Sequence, residues 1–63
     1  MEYARLIKRI REELLLTQAE LASKLGVAFA TVNRWENGHN EPSIKIKRKL
    51  RDICKRNGID VEE

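Results

Sequence analysis

The chain predicts an all-α fold, a compact bundle of four or five short helices, on three observations. Apolar residues recur at three- and four-residue spacings in four separate segments. Those segments are bounded by helix-capping residues and glycines rather than by the alternation and turn clusters of strands. A single proline and three glycines supply too few turn residues for a loop-rich or β-sandwich scaffold. An apolar share of 41% beside 37% charge marks a globular chain rather than a disordered one. Sixty-three residues make one domain, 1–63, and a chain of this size buries only roughly 60% of its unfolded surface, so each apolar side chain counts.

The first helix is predicted from about Glu2 to Leu14, where Tyr3, Ile7, Ile10 and Leu14 form one stripe and Arg5, Lys8, Arg9 and Glu12 lie away from it. The second begins after Thr17. Thr17 and Glu20 stand in the S/T-x-x-E spacing, in which hydroxyl and carboxylate each satisfy a free backbone amide. Leu16 before the cap and Leu21 at the fourth helical position can form a hydrophobic staple. Leu21, Ala22 and Leu25 are the inner face, and Gly26 terminates the helix. The third is predicted from about Ala28 to Asn37, with Val32 and Trp35 inward, Ala28 and Thr31 on their side, and Gly38 at its end. A polar turn, 39–42, leads to Ser43 as the cap of a fourth helix with Ile46, Leu50, Ile53 and Cys54 on its apolar stripe. Gly58 suits the left-handed terminating position, Ile59 can fold back on Cys54, and 60–63 is expected to fray.

Function points to segment 17–37. Two short helices joined by a tight turn cross at ~90–120° and need a small residue at their closest approach and a glycine in the turn. Ala22 and Gly26 supply them, and Leu21, Leu25, Val27, Val32 and Trp35 close the wedge. The arrangement is a helix-turn-helix core. On the outer side of the third helix, Phe29, Ala30, Asn33, Arg34 and Asn37 share one face. Arg can make two hydrogen bonds to guanine and Asn two to adenine in the major groove, while Phe and Ala can touch a thymine methyl. Between Ile44 and Asn57, Lys45, Lys47, Arg48, Lys49, Arg51, Lys55 and Arg56 face one acid, Asp52. This local excess is larger than the net +3 of the whole chain, so the positive charge is concentrated in one helix, as suits a polyanion. A solvated helix surface is the other reading of that run.

Taken together, Arg11, the run from Leu16 to Ala22, Leu25-Gly26-Val27, the run from Arg34 to Gly38, and Pro42-Ser43 resemble the phage repressor and Cro type of helix-turn-helix domain, the xenobiotic-response-element family. The resemblance covers about Ile7 to Cys54. It implies a lambda-repressor-like bundle acting as a homodimer on a palindromic operator in duplex DNA. By the same resemblance Gln18 and Asn37 touch phosphates, Phe29, Ala30, Asn33 and Arg34 face the bases, and Arg11 and Glu36 form a structural ion pair. His39 and Lys45, on the turn and helix start that follow, complete the expected phosphate-contacting set. Two positions depart from the pattern: Leu15 where many relatives have glycine, and Ala28 where a capping Ser or Thr is usual.

The resulting expectation is a sequence-specific transcriptional regulator, most simply a repressor placing its third helix in the major groove. The alternatives are an antitoxin-like module that neutralises a protein, or the DNA-targeting module of a larger system. No catalytic residue is expected, because Glu12, Glu13 and Glu20 are surface or capping groups and no nucleophile or phosphate loop accompanies them. No cofactor, small-molecule substrate or metal is expected: His39 has no second His or nearby Cys, and Cys54 lies on an apolar stripe as packing. One cysteine cannot form an internal disulfide, no run approaches the ~20 apolar residues of a membrane span, and Met1 to Arg5 has no secretory signature. These features lead to an expected cytoplasmic location without a membrane partner.

Overall fold

The structure is a computed structural model and describes residues 3–59. The expected fraying of 60–63 and the first helix's start at Glu2 lie outside the described residues. Four helices follow in order: α1 Tyr3–Glu13, α2 Gln18–Leu25, α3 Phe29–Glu36 and α4 Ile44–Arg56.

Each helix starts and stops for a local reason. At α2 the Glu20 amide donates to Thr17 Oγ1 at 3.1 Å while the Thr17 amide donates to Glu20 Oε1 at 2.8 Å, completing the reciprocal cap. Ser43 caps α4 by accepting from the Ile46 amide at 3.4 Å, a longer bond. Ala28 occupies the N-cap of α3 in extended conformation and offers no side-chain acceptor. It is exposed, not on the inner side with Val32, because the chain turns outward at the cap. All four helices end in the same way: a residue at positive φ follows the helix, and the next amide reaches back to a carbonyl in the last turn. Three of those positions are glycines, Gly26, Gly38 and Gly58. The fourth is Leu15, at φ 56, where Leu16 N–H donates to Arg11 O at 2.8 Å. The turn is therefore built like the three glycine stops, with the left-handed strain carried by a leucine.

The amphipathic stripes converge on one core. Ile7 and Ile10 from α1, Leu21, Ala22 and Leu25 from α2, Val32 and Trp35 from α3, and Ile46, Leu50 and Cys54 from α4 are buried together. Ile59 joins them, its amide donating to Cys54 O at 2.9 Å, as the sequence pattern predicts. Leu14, Leu16, Val27 and Ile53 pack at the margin, as does Leu6, which lies off the predicted α1 stripe. A domain this small has a stability of roughly 3–9 kcal/mol. Truncating a buried leucine to alanine costs about 2–5 kcal/mol, so single core positions decide whether it folds. Across the back of the core, Lys49 Nζ donates to Leu25 O at 3.3 Å and ties α4 to the end of α2.

Candidate nucleic-acid interface

The α2–α3 pair is held rigidly enough to present a defined face. Gly26 at φ 74 lets the chain turn within the three residues 26–28, and Val27 N–H closes the turn on Ala22 O at 2.9 Å. Val32 and Trp35 anchor α3 from beneath. Rigid anchoring on one side fixes what the other side shows: Phe29, Ala30, Asn33, Arg34 and Asn37 are all exposed. Phe29 is 54% exposed and is not among the apolar residues packed on the core, so its ring faces outward. Asn33 and Arg34 make no side-chain hydrogen bond or ion pair with a described residue, so their donors are uncommitted. Asn37 is different. Its Nδ2 donates to Asn33 O at 2.9 Å, covering the end of α3, and only part of its amide is left for another partner.

Behind this face lies a charge cluster joining three helices. Arg11 donates through Nε to Glu36 Oε2 at 2.8 Å and through Nη2 to Oε1 at 3.0 Å, a two-bond pair between α1 and α3. Gln18 Nε2 donates to the same Oε1 at 3.1 Å, and Arg11 Nη1 reaches Leu16 O at 3.4 Å. The Glu36 side chain is 4% exposed and that of Arg11 23%. Burial pushes the Glu36 carboxyl up, but the hydrogen bonds from Arg11 and Gln18, with the charges of Arg11 and Lys8, outweigh it and hold the pKa below the ordinary range. The Glu36 hydrogen bond in turn raises the Arg11 pKa. One consequence for the surface is that the only acid of α3 is turned inward, leaving the outward face without negative charge. The sequence pattern carries no sign of the Gln18 bond, because its partner lies 18 residues away on another helix.

The basic run of α4 is partly consumed inside the molecule. Lys47 pairs with Glu41 at 2.9 Å and sits 4.8 Å from the centre of the Tyr3 ring, and the Glu41 hydrogen bond raises its pKa. Lys49 is spent on Leu25 O, and Arg56 pairs with Asp52 at 3.4 Å. Lys45, Arg48 and Lys55 are exposed and form no ion pair with a described residue. Lys45 lies in the first turn of α4, directly after the exposed turn that contains His39. Cys54 is buried, and burial pushes its thiol up despite the opposing charge of Arg9, as suits a packing residue rather than a reactive one.

Two short helices locked across a glycine turn, the second with a polar, cation-bearing outer face, define a helix-turn-helix domain. The family model described as Helix-turn-helix matches residues 7–63, and the chain belongs to this family, the phage repressor and Cro type of DNA-binding regulatory domain. Searches of curated proteins and of solved structures returned no significant match. Among the described residues no helix is long and apolar enough to cross a membrane.

Proposed function

We propose that the protein is a sequence-specific transcriptional repressor that inserts α3 into the major groove of duplex DNA and acts as a homodimer on a palindromic operator. The observation that carries this reading is the outer face of α3. Asn33 and Arg34 are exposed opposite Val32 and Trp35, and Glu36 is withdrawn into its ion pair. Packing does not require polar groups there, and a face with uncommitted donors and no acid is complementary to base edges flanked by phosphates. Arg34 reads a guanine and Asn33 an adjacent base. Asn37, His39 and Lys45, with the part of the Gln18 amide that Glu36 leaves free, contact phosphates and set the register without specifying sequence. In a dimer the two α3 helices fall one helical turn apart, ~34 Å, or a multiple of it.

The test is selection of binding sites from random duplex DNA by wild type and by Arg34→Ala, each at two salt concentrations. Loss of a base contact costs ~1–3 kcal/mol on the preferred site and relaxes the consensus at one base pair in each half-site. An unchanged consensus with uniformly weaker binding assigns Arg34 to phosphate and refutes base reading.

A further inference from the structure

The first turn of α3 differs in kind from the rest of its outer face. Ala28, Phe29 and Ala30 are consecutive, all exposed, and none carries a hydrogen-bonding side chain. Thr31, the next residue, is half-buried. In a helix-turn-helix the beginning of the second helix is the part that meets base edges. A phenyl ring and two methyl groups can neither donate to nor accept from those edges. Among base edges in the major groove, the C5-methyl group of thymine is the one apolar substituent. An aromatic residue left 54% exposed beside Asn33 and Arg34, on a face without acid, therefore has one complementary partner among the base edges of the major groove.

We propose that the first turn of α3 recognises the 5-methyl group of pyrimidines, with Phe29 as the main contact and Ala30 beside it, while hydrogen-bond reading is confined to Asn33 and Arg34. This inference rests on the proposed insertion of α3 into the major groove. It adds the chemical class of the group read beside the bases that Asn33 and Arg34 contact. It also makes binding responsive to DNA modification, since 5-methylcytosine carries the same methyl group at the same place on the pyrimidine ring.

The experiment uses the operator obtained by selection and replaces each thymine singly by deoxyuridine, which removes the methyl and leaves base pairing unchanged. Titration by fluorescence anisotropy then gives each affinity. Removing a buried methyl lowers affinity about fourfold, the equivalent of one carbon's transfer from water. The loss is expected at one or more thymines next to the Arg34-dependent base pair and at no distant ones. At the same position, 5-methyldeoxycytidine is expected to bind about fourfold tighter than deoxycytidine. Phe29→Ala is expected to abolish both differences while keeping the guanine preference; its ring lies outside the core, and the deoxyuridine series on wild type needs no variant at all. Equal affinity for thymidine and deoxyuridine at every position, with the Arg34-dependent consensus intact, overturns the inference and leaves the proposed function standing. Discrimination that survives in Phe29→Ala overturns the assignment to this turn. Self-association abolished by Phe29→Ala, without methyl discrimination, places the ring in a protein contact and overturns it too. Absence of salt-dependent duplex binding removes the proposed function and the inference with it.

Discussion

Removing either partner of the Arg11–Glu36 pair deletes the same two hydrogen bonds, yet the two deletions should not cost the same. Arg11→Met leaves the Glu36 carboxylate in a site where its side chain is 4% exposed, with Gln18 Nε2 as its remaining donor. An uncompensated charge in such a site costs about 3–5 kcal/mol. Glu36→Gln leaves instead a guanidinium that is 23% exposed, can draw in water, and still has an amide oxygen facing it. That change forfeits charged hydrogen bonds worth about 1.5–3 kcal/mol and turns an amide N–H toward an Arg11 N–H, a mismatch that the partly exposed guanidinium relieves by taking water. Arg11→Met is therefore expected to be the more damaging by at least about 1 kcal/mol, and at roughly 3–9 kcal/mol total it approaches complete unfolding. Urea unfolding followed by the fluorescence of the buried, single Trp35 measures both. pH supplies a second, independent sign. In the wild type the folded Glu36 pKa lies below its ordinary 4.5, so its contribution is complete above 4.5 and is lost as pH falls through the folded value. In Arg11→Met burial acts with little opposition and raises the folded pKa, so stability is retained at low pH and lost as pH rises through the raised value. The gap between wild type and Arg11→Met should narrow as pH falls through the raised value of the variant and again through the lowered value of the wild type. Equal costs for the two substitutions, or a gap that does not change with pH, would refute the assignment of Glu36 as a buried, paired carboxylate.

Three further outcomes follow from local geometry and charge placement. Leu15 is 90% exposed and holds a left-handed conformation costing about 1–2 kcal/mol, so Leu15→Gly loses little contact and, after glycine's entropy of about 0.5–1 kcal/mol, should gain about 0.5–1 kcal/mol. A thermal midpoint raised by about 2–8 °C, with no gain in Leu15→Ala, is the expected calorimetric result, and a lowered midpoint contradicts it. Ala28→Ser places an acceptor at the uncapped start of α3 and should add about 0.5–1 kcal/mol in urea unfolding; no gain would mean that the first-turn amides are already satisfied. Lys45→Ala should weaken DNA binding on all sequences alike and reduce the slope of log affinity against log salt by about 1, with Lys55→Ala changing it less, and equal slopes would show charge acting as a diffuse field.

What was legible in the sequence is what is decided within a few residues of chain. The cap formed by Thr17 and Glu20 and the stops at Gly26, Gly38 and Gly58 involve partners at most five positions apart, so spacing alone reveals them. The buried stripes of α1 to α4 follow from helical periodicity, which one sequence displays in full. Family resemblance added Arg11 with Glu36, two residues 25 apart that no local pattern links, and the structure joins them by two hydrogen bonds. Resemblance also marked Leu15 as standing in a glycine's place, but its left-handed φ of 56 is a property of the closed turn. Beyond this the tertiary structure decides. Gln18 reaches Glu36 and Lys49 reaches Leu25 O only because the helix crossings bring together groups 18 and 24 residues apart. The run of basic residues in α4 reads as one positive face, whereas folding spends Lys47 on Glu41 and Tyr3 and leaves Lys45 uncommitted. The inward turn of Glu36, which clears the α3 face of negative charge, depends on where Arg11 lies in the neighbouring helix. Local rules fix the backbone of each element because their partners are adjacent in the chain. Which charges remain available to a ligand is set by rotamers and distances between helices, and these exist only once the helices have packed.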